Sequence, residues 1–249
     1  MFWAIQNQAP ARTLPRPPET IDTVTASELD DGRRYRGAAP GQRQQERRAR
    51  LIEAATEAFG VDGYRNTTVT TICAAAGVGK RYFYESFTDS EDLLLEVYRE
   101  TAARMIEAIH TGLSDPDADV DTQVRVGLTA YFQLIRDDPR VPRIAFFEIL
   151  GVSPAVDRAY YGVLDALVDI CMALVTPHVD LETHPAVSVR TVLFGLVGAI
   201  VIIAQKWVLD EYRQPLTDVV ESGCLVISAV LTRIGPDGKA TRSVERGAN

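Results

Sequence analysis

The tightest constraint on this chain is a short interruption, Gly77-Val78-Gly79, set between two stretches of helical pattern. Upstream, Asn66-Thr67-Thr68 offers side-chain oxygens that can cap a helix running to Ala76. Downstream, Lys80–Phe87 places Phe83 and Phe87 four residues apart, on one helical face. A helix, a glycine-bearing break and a second short helix is a layout in which the second helix can enter the major groove of DNA. Ile72, Ala75, Val78, Phe83 and Phe87 are the expected core of this unit. Lys80, Arg81, Tyr82, Tyr84 and Glu85 are then left outside. A solvated surface usually avoids paired aromatics. A DNA-reading face wants this mixture: cations and hydroxyls for phosphates, longer side chains for base edges.

The rest of the chain reads as helical too. Residues 47–60 are amphipathic, with Leu51, Ala55, Ala58 and Phe59 at helical spacing, and Gly63 suits the turn that follows. Asp89 or Ser90 caps a long helix to about Gly112, with Glu91 and Asp92 in its first turn, where the helix dipole favours acids. An Asp-rich loop spans Ser114–Asp121. Further helices are expected at 121–137, 140–151, 154–176, 184–210 and 216–233, punctuated by Pro139, Pro154, Pro177, Pro185 and Pro215. Strand-like alternation bounded by turn residues is missing, so the expected class is all-α. The expected division is a disordered basic arm over 1–44, a helix-turn-helix domain over 45–92, a larger helical domain over 93–234, and a disordered tail over 235–249.

Charge supports a local rather than a global nucleic-acid signal. The formal net charge is −8, and the acidic excess sits mainly in residues 93–249. Between positions 33 and 50, however, Arg33, Arg34, Arg36, Arg43, Arg47, Arg48 and Arg50 are opposed only by Glu46. Such a cluster is what phosphate contact requires, because it releases counterions from the duplex. Met1–Ile5 is too short and lacks the basic start of a secretory signal. The longest uncharged apolar run, Thr191 to Gln205, falls short of the roughly 20 residues that span a bilayer. Cys73, Cys171 and Cys224 are scattered through apolar helical contexts. A cytoplasmic protein without a membrane span is expected.

Catalytic and metal readings find little support. Gly77-Val78-Gly79-Lys80 would need Gly at 74 and Ser or Thr at 81 to be a phosphate-binding loop, and the chain has Ala74 and Arg81. Gly151-Val152-Ser153-Pro154-Ala155 lacks the final Gly of a nucleophile elbow, and Ser153-Pro154 reads better as a helix cap and first helical residue. Cys171, His178 and His184 match no standard metal spacing. No enzyme activity, metal or cofactor is expected.

Arg50-Leu51-Ile52-Glu53-Ala54-Ala55, Phe59, Gly63-Tyr64, Thr67-Thr68-Val69, Ile72, Ala75-Ala76-Gly77-Val78, Phe83-Tyr84, Phe87 and Glu91-Asp92-Leu93 together resemble the DNA-binding domain of TetR-family repressors. The resemblance covers about residues 47–95. It implies three N-terminal helices, a linking fourth, and a body whose last two long helices form a four-helix bundle with a second copy. It also implies that Thr68 and Tyr84 contact phosphates and that Lys80, Arg81 and Tyr82 read or flank bases. Two residues depart from the family pattern. Gly79 stands where a Ser usually caps the recognition helix, and Ser90 where a Lys is frequent.

Three partners follow: double-stranded DNA with a palindromic operator, a second copy of the chain, and a small, mostly apolar effector that releases a repressor. The dimer face is expected from Val192, Gly195, Leu196, Ala199, Ile203 and Trp207 on one helix and Val220, Gly223 and Ile227 on the next, spaced by threes and fours. The effector site is expected at Met105, Phe132, Phe146, Tyr160 and Met172, large apolar residues from different helices. The competing reading is a small-molecule carrier with an incidental helix-turn-helix module, and the exposed Lys80–Tyr84 face argues against it.

Overall fold

Side-chain caps decide where most of the helices begin. The computed structural model of the protein describes residues 40–113, 117–176 and 188–234, and its described residues contain helices and turns but no strand. Helix α1 spans Pro40–Val61, followed by a short 3-10 turn at Tyr64–Asn66. Helix α2 (Val69–Ala76) opens on Thr68, whose hydroxyl accepts from the Thr71 amide at 3.1 Å. It closes on Gly77 at φ 61°, a left-handed conformation that costs glycine nothing. Helix α3 (Lys80–Tyr84) starts from Gly79 with no side-chain cap.

Helix α4 (Ser90–Gly112) opens on Asp89, which accepts from the Asp92 amide at 2.9 Å. Helix α5 (Val120–Asp137) opens on Asp119, which accepts from Thr122 at 2.8 Å. Helix α6 (Arg140–Pro142) runs on as a π-helical segment, Arg143–Glu148. Helix α7 (Pro154–Val175) opens on Ser153 with proline in its first turn. Helix α8 (Val189–Leu209) opens on Ser188, and α9 spans Leu216–Ile234.

Four boundaries differ from expectation, the first being that α3 ends at Tyr84, three residues before the expected Phe87. Helix α1 begins seven residues before Arg47 and takes in residues 40–44 of the stretch read as a disordered arm. Pro40 fits a first helical position, and Gln42 through Glu46 are good helix formers, but they are polar on every side and so carry no periodic signal. The helix expected over 140–151 is instead a single α-turn widening into a π-turn. The helix expected from 184 is described only from Val189. The expected arm over 1–39, the tail from Gly235, His178 and His184 lie outside the described residues.

All the described residues belong to one unit, and one buried core runs from Leu51 in α1 to Cys224 in α9. Helix α4 packs against α1, α5, α7 and the π-segment, so it borders both the N-terminal helices and the body. Its Leu93, Leu94 and Val97 are fully buried. Burying each such side chain contributes about 1.5–3 kcal/mol.

Helix α1 meets α6 at an unusually close approach. A Cβ on Gly60 would lie 2.5 Å from Cβ of Arg140 and 3.1 Å from its Cα. Gly162, in exposed α7 surface, has nothing within 4 Å of the same position. Alanine gains about 1 kcal/mol over glycine in a helix, whereas overpacking costs about 1–3 kcal/mol. Gly60→Ala is therefore expected to lower the melting temperature and Gly162→Ala to leave it unchanged or raise it. A Gly60→Ala protein as stable as the wild type would show that α1 and α6 do not approach this closely.

Candidate DNA-binding surface and effector cavity

The N-terminal helices fold around Phe83. Its ring is fully buried and lies 5.7 Å from Phe87 and 5.1 Å from Tyr84, centroid to centroid. Ile72, Cys73, Ala76 and Val78 complete the packing. Ala75, expected in the core, is exposed. The buried stripe of α2 runs through positions 69, 72, 73 and 76, and 75 lies off it. Fixing Phe83 inward turns the remainder of α3 outward: Lys80, Arg81, Tyr82 and Tyr84 are all exposed. Thr68, at the start of α2, is exposed as well. The five residues expected to meet DNA therefore share the accessible surface of α2 and α3.

Two of them are held by neighbours. The Arg47 guanidinium sits 4.3 Å over the Tyr82 ring, a cation–π contact that links α1 to α3. Arg81 donates to Glu85 one turn on, at 3.3 Å, and remains exposed. The basic cluster before α2 is thus partly committed within the molecule. Arg48 pairs with Glu96 of α4 at 2.8 Å and holds that carboxyl below its ordinary range.

The body grips these helices through polar contacts that the sequence reading missed. Arg143 donates to the Val61 carbonyl at 2.7 Å, and Glu148 accepts from the Tyr64 amide at 2.8 Å. Arg140 pairs with Glu57 at 2.8 Å and with Asp138, whose carboxyl is held down at about 2 by Arg140 and then by Arg104 of α4. Ser153 donates to Glu91 of α4 at 2.6 Å. All these body groups lie on or beside α6 and the π-segment, or at the start of α7. A π-turn often marks a functional position, because it re-aims the side chains that follow. Nothing in the spacing of Arg140, Arg143 and Glu148 distinguishes them from a solvated face.

Two adjoining cavities lie deeper in the body. The larger, about 110 Å³ and partly open, is lined mainly by aliphatic side chains of α4, α5, α7, α8 and α9, among them Ile109, Leu128, Leu174, Leu196, Ile200 and Ile227. The smaller, about 30 Å³, is lined by Tyr98, Met105, Tyr131, Phe146 and Tyr160 among others. Tyr131, Leu167 and Val201 border both. Three of the five expected lining residues, Met105, Phe146 and Tyr160, thus line the smaller cavity, and none lines the larger. Phe132 packs against Trp207 with centroids 5.7 Å apart, and its neighbour Tyr131 faces the cavities instead. One residue along a helix turns the side chain by about 100°, which apolar composition alone does not register. Met172 is half-buried on α7 and borders neither space.

Residues 51–97 match the model of the bacterial regulatory proteins of the TetR family. The HTH-type transcriptional activator FasR of Mycolicibacterium smegmatis is 27% identical over 166 residues, which span 67% of this chain and 74% of that protein. The fatty acid metabolism regulator protein of Bacillus subtilis is 21% identical over 167 residues, 67% of this chain and 86% of that one. The chain is a TetR-family transcriptional regulator. Its fold agrees with the crystal structure of the regulator FadR from Bacillus subtilis in complex with stearoyl-CoA. That likeness has a TM-score of 0.60 at 20% identity and covers 72% of this chain and 97% of that one.

The last two helices of this TetR-family regulator carry the expected apolar faces, but turned. Leu196, Trp207, Val220 and Gly223 are buried inside the protomer. Trp207 donates to the Gln214 carbonyl at 2.9 Å, and a Cβ on Gly223 would lie 2.9 Å from Leu128. Ile227 lines the larger cavity. Val192, Ala199 and Ile203 are half-buried, and Gly195 is exposed. The outward apolar residues are instead Phe194, Ile202 and Leu209 on α8 and Leu225 on α9, the last three each more than half exposed. Helix α8 is apolar all round, so spacing alone cannot tell its inward stripe from its outward one.

The DNA-facing assignments separate by role. Tyr84→Phe and Lys80→Ala are expected to weaken binding to every DNA sequence about equally. Arg81→Ala is expected to relax preference at one base pair by about 1–3 kcal/mol. Competition gel shifts over a randomised operator measure both effects. Equal, sequence-independent losses in all three variants would refute the division of roles.

Proposed function

We propose that this regulator grips a palindromic operator as a homodimer, through Thr68, Lys80, Arg81, Tyr82 and Tyr84. We further propose that it is a repressor, released when an aliphatic small molecule enters the larger cavity. The observation that carries the reading is a predominantly aliphatic cavity in the same continuous core that fixes α3. Stearoyl-CoA in the FadR complex supports an aliphatic chain as the effector's main feature. The likeness to bacterial DNA-binding regulators supports the cytoplasm as its place of work.

The size of the cavity suggests how a signal would arise. An engineered cavity of ~150 Å³ takes a molecule the size of benzene. A fatty chain therefore needs more room than about 110 Å³, and binding has to part α7 from α8 and α9. A ligand acts only through unequal affinity for two conformations, and here the enlarged one is favoured. Movement of α4 and the π-segment would carry that change to α1 and to the 3-10 turn, altering the spacing of two recognition helices. The FasR relative is named an activator, and the same coupling with opposite sign would serve that role. A promoter–reporter assay with and without the gene decides between them.

The dimer is assigned to the outward stripe of α8 and α9. A Cβ added at Gly195 or Gly198 would meet nothing within 4 Å, leaving room for another helix to approach. Phe194, Ile202, Leu209 and Leu225 supply the apolar surface around them. Ile202→Glu is expected to yield a monomer by light scattering at micromolar concentration, with operator affinity lost and helical content kept. A variant that stays dimeric would place the interface elsewhere.

Linkage fixes the test of the effector reading. Operator DNA must weaken effector binding by the same factor by which the effector weakens DNA binding, and coupling of about 1–3 kcal/mol is typical. Calorimetry of a medium-chain acyl compound with and without operator measures this. Equal affinities in the two titrations would mean that the compound binds without regulating.

A further inference from the structure

The smaller cavity has a chemical character that the larger one lacks. Tyr98 of α4, Tyr131 of α5 and Tyr160 of α7 meet around it from three separate helices. Tyr98 and Tyr131 are only 2% and 3% exposed, and Tyr160 is half-buried. Among the described residues, none of these three hydroxyls has a hydrogen-bond partner in the protein. A buried hydroxyl without a partner is destabilising, and two phenylalanines would have filled the same space without that cost. Retaining two such groups around one void, with the half-buried Tyr160 beside them, points to something polar that they receive.

We propose that Tyr98, Tyr131 and Tyr160 form a hydrogen-bonding cradle for the acyl oxygen of the effector, whose aliphatic chain lies in the adjoining larger cavity. The inference rests on the reading of that larger cavity as the effector site. Tyr131, Leu167 and Val201 border both spaces, so one ligand can extend from one into the other. Burial pushes the phenols of Tyr98, Tyr131 and Tyr160 to higher pKa, so all three stay protonated and can donate. Among the described residues, no lysine, arginine or histidine lines either cavity. A carboxylate there would be buried without a counter-charge, which is costly, whereas a neutral carbonyl accepts phenol hydrogen bonds without that penalty. The group received is therefore a neutral acyl carbonyl, of an ester, a thioester or a protonated acid.

The position also places the polar group beside the body's grip on the DNA-binding helices. Ala145 and Phe146 of the π-segment line the same small cavity. Arg143 and Glu148, at the two ends of that segment, hold the Val61 carbonyl and the Tyr64 amide. An acyl oxygen drawn in among the three tyrosines would press on the segment that anchors α1 and the turn after it. A hydrocarbon filling only the larger cavity would reach that segment less directly, through the helices that border both spaces.

The test compares methyl decanoate with undecane, matched in carbon number, by calorimetry on the full chain and on its Tyr131→Phe and Tyr98→Phe variants. The wild type is expected to bind the ester about tenfold more tightly, the effect of one to two net hydrogen bonds. Each variant is expected to lower that ratio several-fold while leaving undecane affinity unchanged. Decanoic acid and decanoyl-CoA, titrated in the same way, identify the source of the carbonyl by the same tyrosine dependence. The ligand-free variants should melt at or above the wild-type temperature, because an unpartnered hydroxyl has been removed. Equal wild-type affinity for ester and hydrocarbon would overturn the cradle and leave the effector reading standing. Variants that melt several degrees lower with an unchanged binding ratio would also overturn it, by showing that the hydroxyls serve the fold alone. Binding of none of these ligands would overturn the effector reading and the cradle with it.

Discussion

Everything in this molecule hangs on helix α4 being shared. Leu93, Leu94 and Val97 are fully buried near its N-terminal end, where it borders α1, and Met105 lies further along toward the cavities. Arg48 of α1 and Ser153 before α7 both reach its first turns, through Glu96 and Glu91. A helix held so from two sides transmits displacement as a rod does. Any rearrangement among α5, α7 and α8 large enough to move α4 must also move what rests on its N-terminal end.

The polar contacts on α6 and the π-segment add direction to that connection. Apolar packing resists separation but is tolerant of sliding, whereas hydrogen bonds such as Arg143 to Val61 and Glu148 to Tyr64 depend on position and angle. A carboxylate held down at about 2, as in Asp138, stays charged through the physiological range and keeps Arg140 and Arg104 together. The body therefore holds the reading head by a broad greasy contact on one side and a few oriented bonds on the other. That combination favours discrete arrangements over gradual deformation.

Much of this was legible in the sequence, and the limits follow a pattern. Strong local signals fixed the elements: Gly77-Val78-Gly79, the Ser153-Pro154 start of α7, the outward Lys80–Tyr84 face of α3. Readings that needed the rotation of an apolar helix failed more often. Phe132 and Tyr131 are adjacent and equally suited to a cavity wall, and only tertiary packing decides that Tyr131 provides it. Trp207 and Ile202 both look suited to an interface, yet Trp207 is spent within the protomer against Phe132 and Tyr212. Helix α1 was read as too short because Gln42, Gln44 and Gln45 have no apolar stripe to betray a helix. The grip of Arg140, Arg143 and Glu148 was invisible because its partners lie more than eighty residues away in sequence.

The continuous core carries a consequence for how such a protein can be rearranged. A reading head that ends in its own closed core can be cut out and grafted elsewhere. Here Gly60 is pressed against Arg140, and the turn at Tyr64 is bonded to Glu148, so the head borrows part of its foundation from the body. A chimera joined at residue 92 would carry a head stripped of that support, with Val61 and Tyr64 facing an unmatched surface. Recombination that respects this architecture has to exchange α1 through α4 together with α6 and the π-segment. The smallest inheritable unit of DNA recognition is then discontinuous in sequence, and new specificities are reached more cheaply by point changes on α3 than by swapping modules.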